Sequence, residues 1–473
     1  MRACVRACVP SLVQDSRVAY TFNKFARDTV SVCACGNTVN ATQTQTHPPT
    51  PNLQPFWIWQ SRQRPQESNF RAHMMSTMDA VPVAKAKAAV RKRPAAAKQS
   101  SVREHHAKAL KFGPTGRVER PLLPRSRSSS TGPISYASDC SGLDAGAMAL
   151  QTIVPKLCHH WASEVDPCYK SILRATHPDV NVYFDDVAER SEEALEPYVD
   201  RVTIYTSGFP CTPFSSAGGQ MGVCDPSAGM LSFYVVLTIC QVLPCLFILE
   251  NVPDFATDAK HQQHFDVTLR MLRNAGGQIY NIYWRILNSK DYGVPAQRQR
   301  FYIVGIRRDK SQSAWAWPPE ELPVGLHTIF DATPPTKQEH DATIAALPPF
   351  SLDNLAAGLE LVNKTKSSTP TNMSKTGPWV IDIGASRSRL CNPTYNAMPT
   401  ITKARAKKRQ WYVTGRGLIS ESELMRCQGF EPSRVVVPSD INRDKVCEMV
   451  GNAMTVSTME RLLRSGLRAL NML

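Results

Sequence analysis

From Ile134 onward the chain alternates short apolar runs of strand length with stretches of helical character, and this alternation restricts the fold more than any other feature. The predicted strands are Ile134–Ser138, Asn181–Phe184, Val202–Thr206, Leu246–Leu249, Ile279–Leu287 and Phe301–Ile306, with a further strand region running into Trp161. Met230–Leu243 and His264–Asn274 are the clearest predicted helices between them. Strands separated by helices build βαβ units, so we expect an α/β protein with a doubly wound, mostly parallel sheet covered on both faces. Ligands of such sheets sit beyond the carboxyl ends of the strands. Residues 311–400 break the pattern, being rich in Pro, Thr, Ser and Ala without long periodicity, and predict a smaller, irregular second domain or a large insertion. The pattern returns at Ser420–Cys427 and Val446–Leu470, two predicted helices that close the main domain. The expected division is therefore a tail over 1–130, a main domain over 131–310, a second domain over 311–415 and closing helices over 416–473.

Charge supports the tail. Residues 1–130 hold 21 Lys and Arg against 6 Asp and Glu, whereas residues 131–473 hold 34 of each, so the whole net charge of +15 belongs to the first part. Thr42–Pro55, Val83–Lys98 and Arg125–Thr131 carry too little apolar surface to offset the entropy of ordering them, which predicts a disordered basic tail. An anionic partner or an import receptor is its expected contact. The run Val90–Lys98 resembles a nuclear import signal and points to the nucleus. Apolar runs such as Cys245–Leu249 fall short of the roughly 20 residues of a membrane helix, and the interrupted opening MRACVRACVPSL does not read as a signal peptide. No membrane association is expected, and the chain is expected to be a monomer. The 14 cysteines include no C-x2-C pair and read as reduced thiols; neither Cys33 with Cys35 nor Cys158 with His159 and His160 has the partners of a metal site.

The predicted strand ends carry the chemistry. After the first, Ser138-Asp-Cys-Ser-Gly-Leu-Asp-Ala-Gly146 is a small-residue turn whose amides can approach a ligand closely. Glu164, about 20 positions later, stands where a nucleotide-type cofactor has its ribose hydroxyls held, and Asp185-Asp186 follows the next strand. Gly208-Phe-Pro-Cys211-Thr-Pro places Cys211 between two prolines that fix φ, a stiff setting for a nucleophile or for a buried structural thiol. Glu250-Asn251-Val252 ends an apolar strand with a carboxylate, a hydrogen-bond partner for a substrate or an ordinary solvated acid. Arg298 and Arg300, at alternate positions of an extended segment, fall on one face and suit anion binding or an ion pair with Glu250.

In this order the segments resemble the cytosine-5 DNA methyltransferase family, over about residues 132–310 and 390–470. GFPCTPFS resembles its nucleophile motif, Glu250-Asn251-Val252 its ENV motif, Ala296-Gln-Arg298-Gln-Arg300 its QxRxR motif, and Arg416–Phe430 and Val450–Ala453 its last two motifs. The resemblance implies a Rossmann-like methyltransferase sheet, a target-recognition domain over 311–415, S-adenosyl-L-methionine as cofactor and double-stranded DNA as partner. It implies that Cys211 attacks carbon 6 of a flipped-out cytosine, that Glu250 holds the exocyclic amine and ring nitrogen 3, and that Arg300, supported by Arg298, holds the carbonyl oxygen. It assigns Cys140, Ser141, Gly142, Leu143, Glu164, Asp186, Pro210, Asn452 and Ala453 to the cofactor. The first motif departs from the family's Phe-x-Gly-x-Gly-Gly at Cys140, Asp144 and Ala145, which leads us to expect a carboxylate beside the cofactor. Ala296 stands for the usual Gln. The basic run Lys403, Arg405, Lys407, Lys408 and Arg409 is expected to bind DNA phosphates, a solvated face being the alternative. Two other readings stay open: a tRNA cytosine-5 methyltransferase, although that branch's Pro-Pro-Cys-Gln and Cys-Phe-Thr signatures are missing, and a catalytically weak DNA-binding relative.

Overall fold

A computed structural model describes residues 133–211, 230–368, 377–385 and 392–473. All of them belong to the second of two units into which the chain divides, Met1–Val118 and Glu119–Leu473. The expected basic tail and its run Val90–Lys98 lie outside the described residues, as do Thr212–Ser215 of the GFPCTPFS segment.

Seven strands form the central sheet: β1 (Ile134–Asp139), β2 (Leu157–Ser163), β3 (Val182–Phe184), β4 (Ile204–Ser207), β5 (Leu246–Asn251), β6 (Tyr280–Asn288) and β7 (Gln299–Arg307). Their order is β3-β2-β1-β4-β5-β7-β6, parallel from β3 to β5, with β7 antiparallel to both its neighbours. Both faces are covered, as the unbroken apolar run Leu246–Leu249 of β5 requires. Leu246 and Ile248 pack in one cluster with α1 (Ala145–Ile153) and the C-terminal helices; Phe247 and Leu249 pack in the other with α3 (Leu231–Val242) and α5 (Gln262–Gln278). Two further helices, α2 (Pro167–Thr176) and α4 (Asp254–Thr257), lie between these in sequence.

The antiparallel β7 matters for function. Because it runs back along β5, with Asn251 opposite Phe301 and Glu250 opposite Tyr302, its first residues lie at the edge where β1, β2, β4 and β5 end. Arg300 at the start of one strand thus meets Glu250 at the end of another.

Residues 311–415 are more regular than expected. They fold into α6 (Lys337–Ala345), α7 (Pro349–Ser368) and a four-stranded antiparallel sheet of β8 (Trp379–Asp382), β9 (Thr394–Tyr395), β10 (Trp411–Val413) and β11 (Gly417–Leu418), the last lying past residue 415. A core of Leu355, Val362, Trp379, Ile381 and Ile383 holds them together. Helix α8 (Lys403–Lys407) follows the small domain's second strand. The C-terminal segment contains α9 (Glu421–Cys427), α10 (Arg443–Asn452) and α11 (Val456–Ala469), so the single helix expected over Val446–Leu470 is two. The break falls at Ala453, whose ψ of 150° leaves the helical region.

Candidate active site

Strand β4 delivers Gly208-Phe-Pro-Cys211 to the sheet edge. The neighbouring strand fastens this loop: Asn251, buried, donates through Nδ2 to the Phe209 carbonyl at 3.1 Å and accepts the Val252 N–H at Oδ1 at 2.8 Å. Cys211 is half-buried; burial pushes its thiol above the usual range, Arg300 opposes the shift and Glu250 adds to it. Nε of Arg300 lies 3.1 Å from Oε1 of the buried Glu250, close enough for an ion pair but off the line of a hydrogen bond.

Arg298 does something different. Its guanidinium is only 2% exposed and donates to three main-chain carbonyls, Ile401 at 2.8 Å, Gly451 at 3.2 Å and Ala453 at 2.8 Å. Burial, with Arg300 nearby, lowers its pKa to about 9. Both arginines line one cleft, as their alternate positions led us to expect, but their partners differ: Arg300 pairs with Glu250, while Arg298 clamps the β7 start to the α10–α11 break.

At the other end of the same edge, Cys140, Gly142 and Asp144 all adopt left-handed backbone, with φ of 53°, 54° and 51°. A β-carbon on Gly142 would meet nothing within 4 Å, so the turn faces open space. Glu164 spans it, accepting the Gly142 N–H at Oε2 and the Asp166 N–H at Oε1, each at 3.0 Å, while burial raises its pKa. An open small-residue turn beside a partly buried carboxylate fits a nucleoside-bearing cofactor. Ser141 is held by its N–H to the Ser163 carbonyl at 2.9 Å, and Asp186 accepts the Ala188 N–H at 2.8 Å.

The expectation of a carboxylate beside the cofactor is overturned. Asp144 is 1% exposed, and its side chain turns inward to accept from Tyr136 at 2.5 Å, Ser138 at 2.7 Å and the Ala147 N–H at 3.0 Å. It caps α1 instead. Leu143 likewise buries its side chain in the core, and its carbonyl accepts from Nε2 of His177 at 3.2 Å.

Sequence reasoning missed a buried group beneath this turn. Asp139 accepts two hydrogen bonds from Arg190, at 2.8 and 2.7 Å, and further ones from Trp161, Ser163 and Tyr205. Burial pushes the Asp139 carboxyl up, but Arg190 and these donors hold it below the usual range.

The basic run divides by partner. Lys403 and Lys407 reach the buried Glu448 at 3.0 and 3.7 Å, and Arg405 reaches Asp382 at 3.4 Å. Lys408 and Arg409 have no acidic partner among the described residues.

One cleft of about 1390 Å³ joins these parts. Cys211, Glu250, Arg298 and Arg300 line it together with Cys140, Ser141, Gly142, Glu164, Asp186, Pro210, Asn452 and Ala453; from the small domain come Lys403 and Arg405. A doubly wound sheet with such a cleft at its carboxyl edge defines a Rossmann-like methyltransferase fold. The family model for C-5 cytosine-specific DNA methylase matches residues 134–467, and the chain belongs to that family, whose members use S-adenosylmethionine as methyl donor. The chain is 28% identical over 269 residues to the type II methyltransferase M.HaeII of Haemophilus aegyptius, covering 57% of this chain and 75% of that one. It is 29% identical over 176 residues to M.NgoPII of Neisseria gonorrhoeae, covering 37% and 48%. The chain spans about half or less of the length of the first curated relatives it matches, 48%, 37% and 40%.

Proposed function

We propose that the protein is a DNA (cytosine-5)-methyltransferase that methylates a flipped-out cytosine through a covalent adduct with Cys211. The observation that carries this reading is the convergence of Cys211 and the Glu250–Arg300 pair in one cleft with the Gly142–Glu164 turn. A base must leave the duplex to reach such a cleft. Cys211 adds to carbon 6 as a thiolate, which makes carbon 5 nucleophilic. Glu250 holds the exocyclic amine and ring nitrogen 3, and Arg300 the carbonyl oxygen, where charge develops during the attack. When bound, S-adenosylmethionine supplies an electrophilic methyl group. Glu164 and Asp186 hold its nucleoside, and Cys140, Ser141, Gly142, Pro210, Asn452 and Ala453 form the walls. Loss of the carbon 5 proton then releases Cys211. Arg298 acts through the others as a positioning residue.

A duplex carrying 5-fluorocytosine in random flanking sequence tests the reading, because fluorine cannot leave as a proton does. With S-adenosylmethionine the wild-type chain is expected to form a denaturation-resistant adduct, and Cys211→Ser to form none while still binding cofactor. An undiminished adduct in the variant sinks Cys211 as nucleophile, and trapping on RNA alone turns the reading to tRNA. The chain is proposed to act as a monomer, checked by sedimentation. Nuclear location is proposed on Val90–Lys98, checked by a fluorescent fusion with Arg91, Lys92 and Arg93 replaced by alanine.

A further inference from the structure

The cations of the small domain differ in one physical respect, whether an acid already neutralises them. A phosphate contact needs net positive charge and tolerates a loose geometry. Reading a guanine needs the reverse: a guanidinium fork held in one direction, its charge dispensable, to donate to O6 and N7 in the major groove.

Arg405 meets the second description. It is a quarter exposed, and its Nε lies 3.4 Å from Oδ2 of Asp382. That contact sets an acid against the arginine and uses the inner nitrogen, while Nη1 and Nη2 have no acceptor among the described residues. Asp382 is itself fixed, its Oδ1 accepting the Gly384 N–H at 3.0 Å. Gly384 leaves the room the arginine needs: a β-carbon there would stand 2.5 Å from Nη1 of Arg405 and 2.4 Å from Oε1 of Gln410. All three side chains, Arg405, Asp382 and Gln410, line the cleft that holds Cys211 and Arg300. Lys408 and Arg409, by contrast, have no acid beside them.

We propose that Arg405 reads a guanine flanking the target cytosine, with Asp382 aiming its fork, so that this pair sets part of the target sequence. The inference rests on the DNA methyltransferase reading and deepens it. It replaces the expected phosphate contact of Arg405 with a base contact.

The test is a binding selection by the full chain from duplexes with random flanks around one cytosine, followed by binding at several salt concentrations. The wild-type pool is expected to retain guanine at one flanking position. The paired variant Arg405→Gln with Asp382→Asn removes one cation and one acid and so leaves the net charge unchanged; it should lose that preference by about 5- to 150-fold with the salt slope unchanged. Asp382→Asn alone, which leaves the arginine in place, should weaken the preference and steepen the slope by up to about one unit, because a cation is unmasked. A paired variant that keeps the wild-type preference, or one whose salt slope falls by about one unit, makes Arg405 a phosphate contact and overturns the inference. So does a wild-type pool without a fixed guanine. A wild-type chain that binds no duplex overturns the DNA methyltransferase reading itself, a result distinct from these.

Discussion

Cys211 sits between two charges that pull its proton in opposite directions. Burial and Glu250 favour the thiol; Arg300 favours the thiolate, the form that attacks. Removing the Glu250 charge should therefore lower the Cys211 pKa, and removing the Arg300 charge should raise it. We expect Glu250→Gln to speed alkylation of Cys211 by iodoacetamide at about pH 8 and Arg300→Gln to slow it, although both lose methyl transfer. Mass spectrometry of the peptide containing Cys211, followed across pH, checks the order; equal rates in the three proteins would show that the pair does not act on the thiol. Cys211, Glu250 and Arg300 were readable in the sequence because each ends or begins a strand inside a recognisable motif. Asn251 lay inside one too, yet its role is a bond to a main-chain carbonyl 42 positions away, which no spacing marks. Asp139 and Arg190, 51 positions apart, escaped for the same reason: partnership of a buried carboxylate is a property of the fold.

The break between α10 and α11 shows why some elements escaped as well. Periodicity runs through Val446–Leu470, and only the carbonyls freed at Gly451 and Ala453, each taken by Arg298, mark the interruption. Arg298→Met would leave three main-chain carbonyls without that donor, and we expect a loss of about 3 kcal/mol or more, read by urea unfolding. Arg298→Lys should rescue little, since one ammonium cannot reproduce a planar fork spanning separate segments. A variant as stable as wild type would mean that water replaces the clamp. Strand β2 was legible only as a strand region running into Trp161, without a clear start, because Cys158, His159 and His160 interrupt its apolar run, and the reversed direction of β7 leaves no trace in composition. The small sheet escaped because its strands are two to four residues long, too short for alternation to register.

Charge is divided unevenly along the chain, and this governs how the protein should meet DNA. Residues 131–473 are neutral overall, and within the basic run Glu448 and Asp382 already occupy Lys403, Lys407 and Arg405. Lys408 and Arg409, with no acid beside them among the described residues, are the members of the run that we expect to meet phosphates. A chain beginning at Ser130 should still unfold cooperatively, because the sheet begins at Ile134; loss of cooperativity would show that the basic segment packs on the body. It should also bind DNA less tightly and with a shallower salt dependence than the full chain, since 21 cations are removed. In that shortened background, replacing Lys408 and Arg409 with alanine should flatten the plot of log K against log salt by up to about two units, roughly 0.9 for each phosphate released. The selected sequence should not change, because phosphate contacts position the protein without reading bases. An unchanged slope would return both residues to a solvated face, and an altered sequence preference would make them base readers beside Arg405.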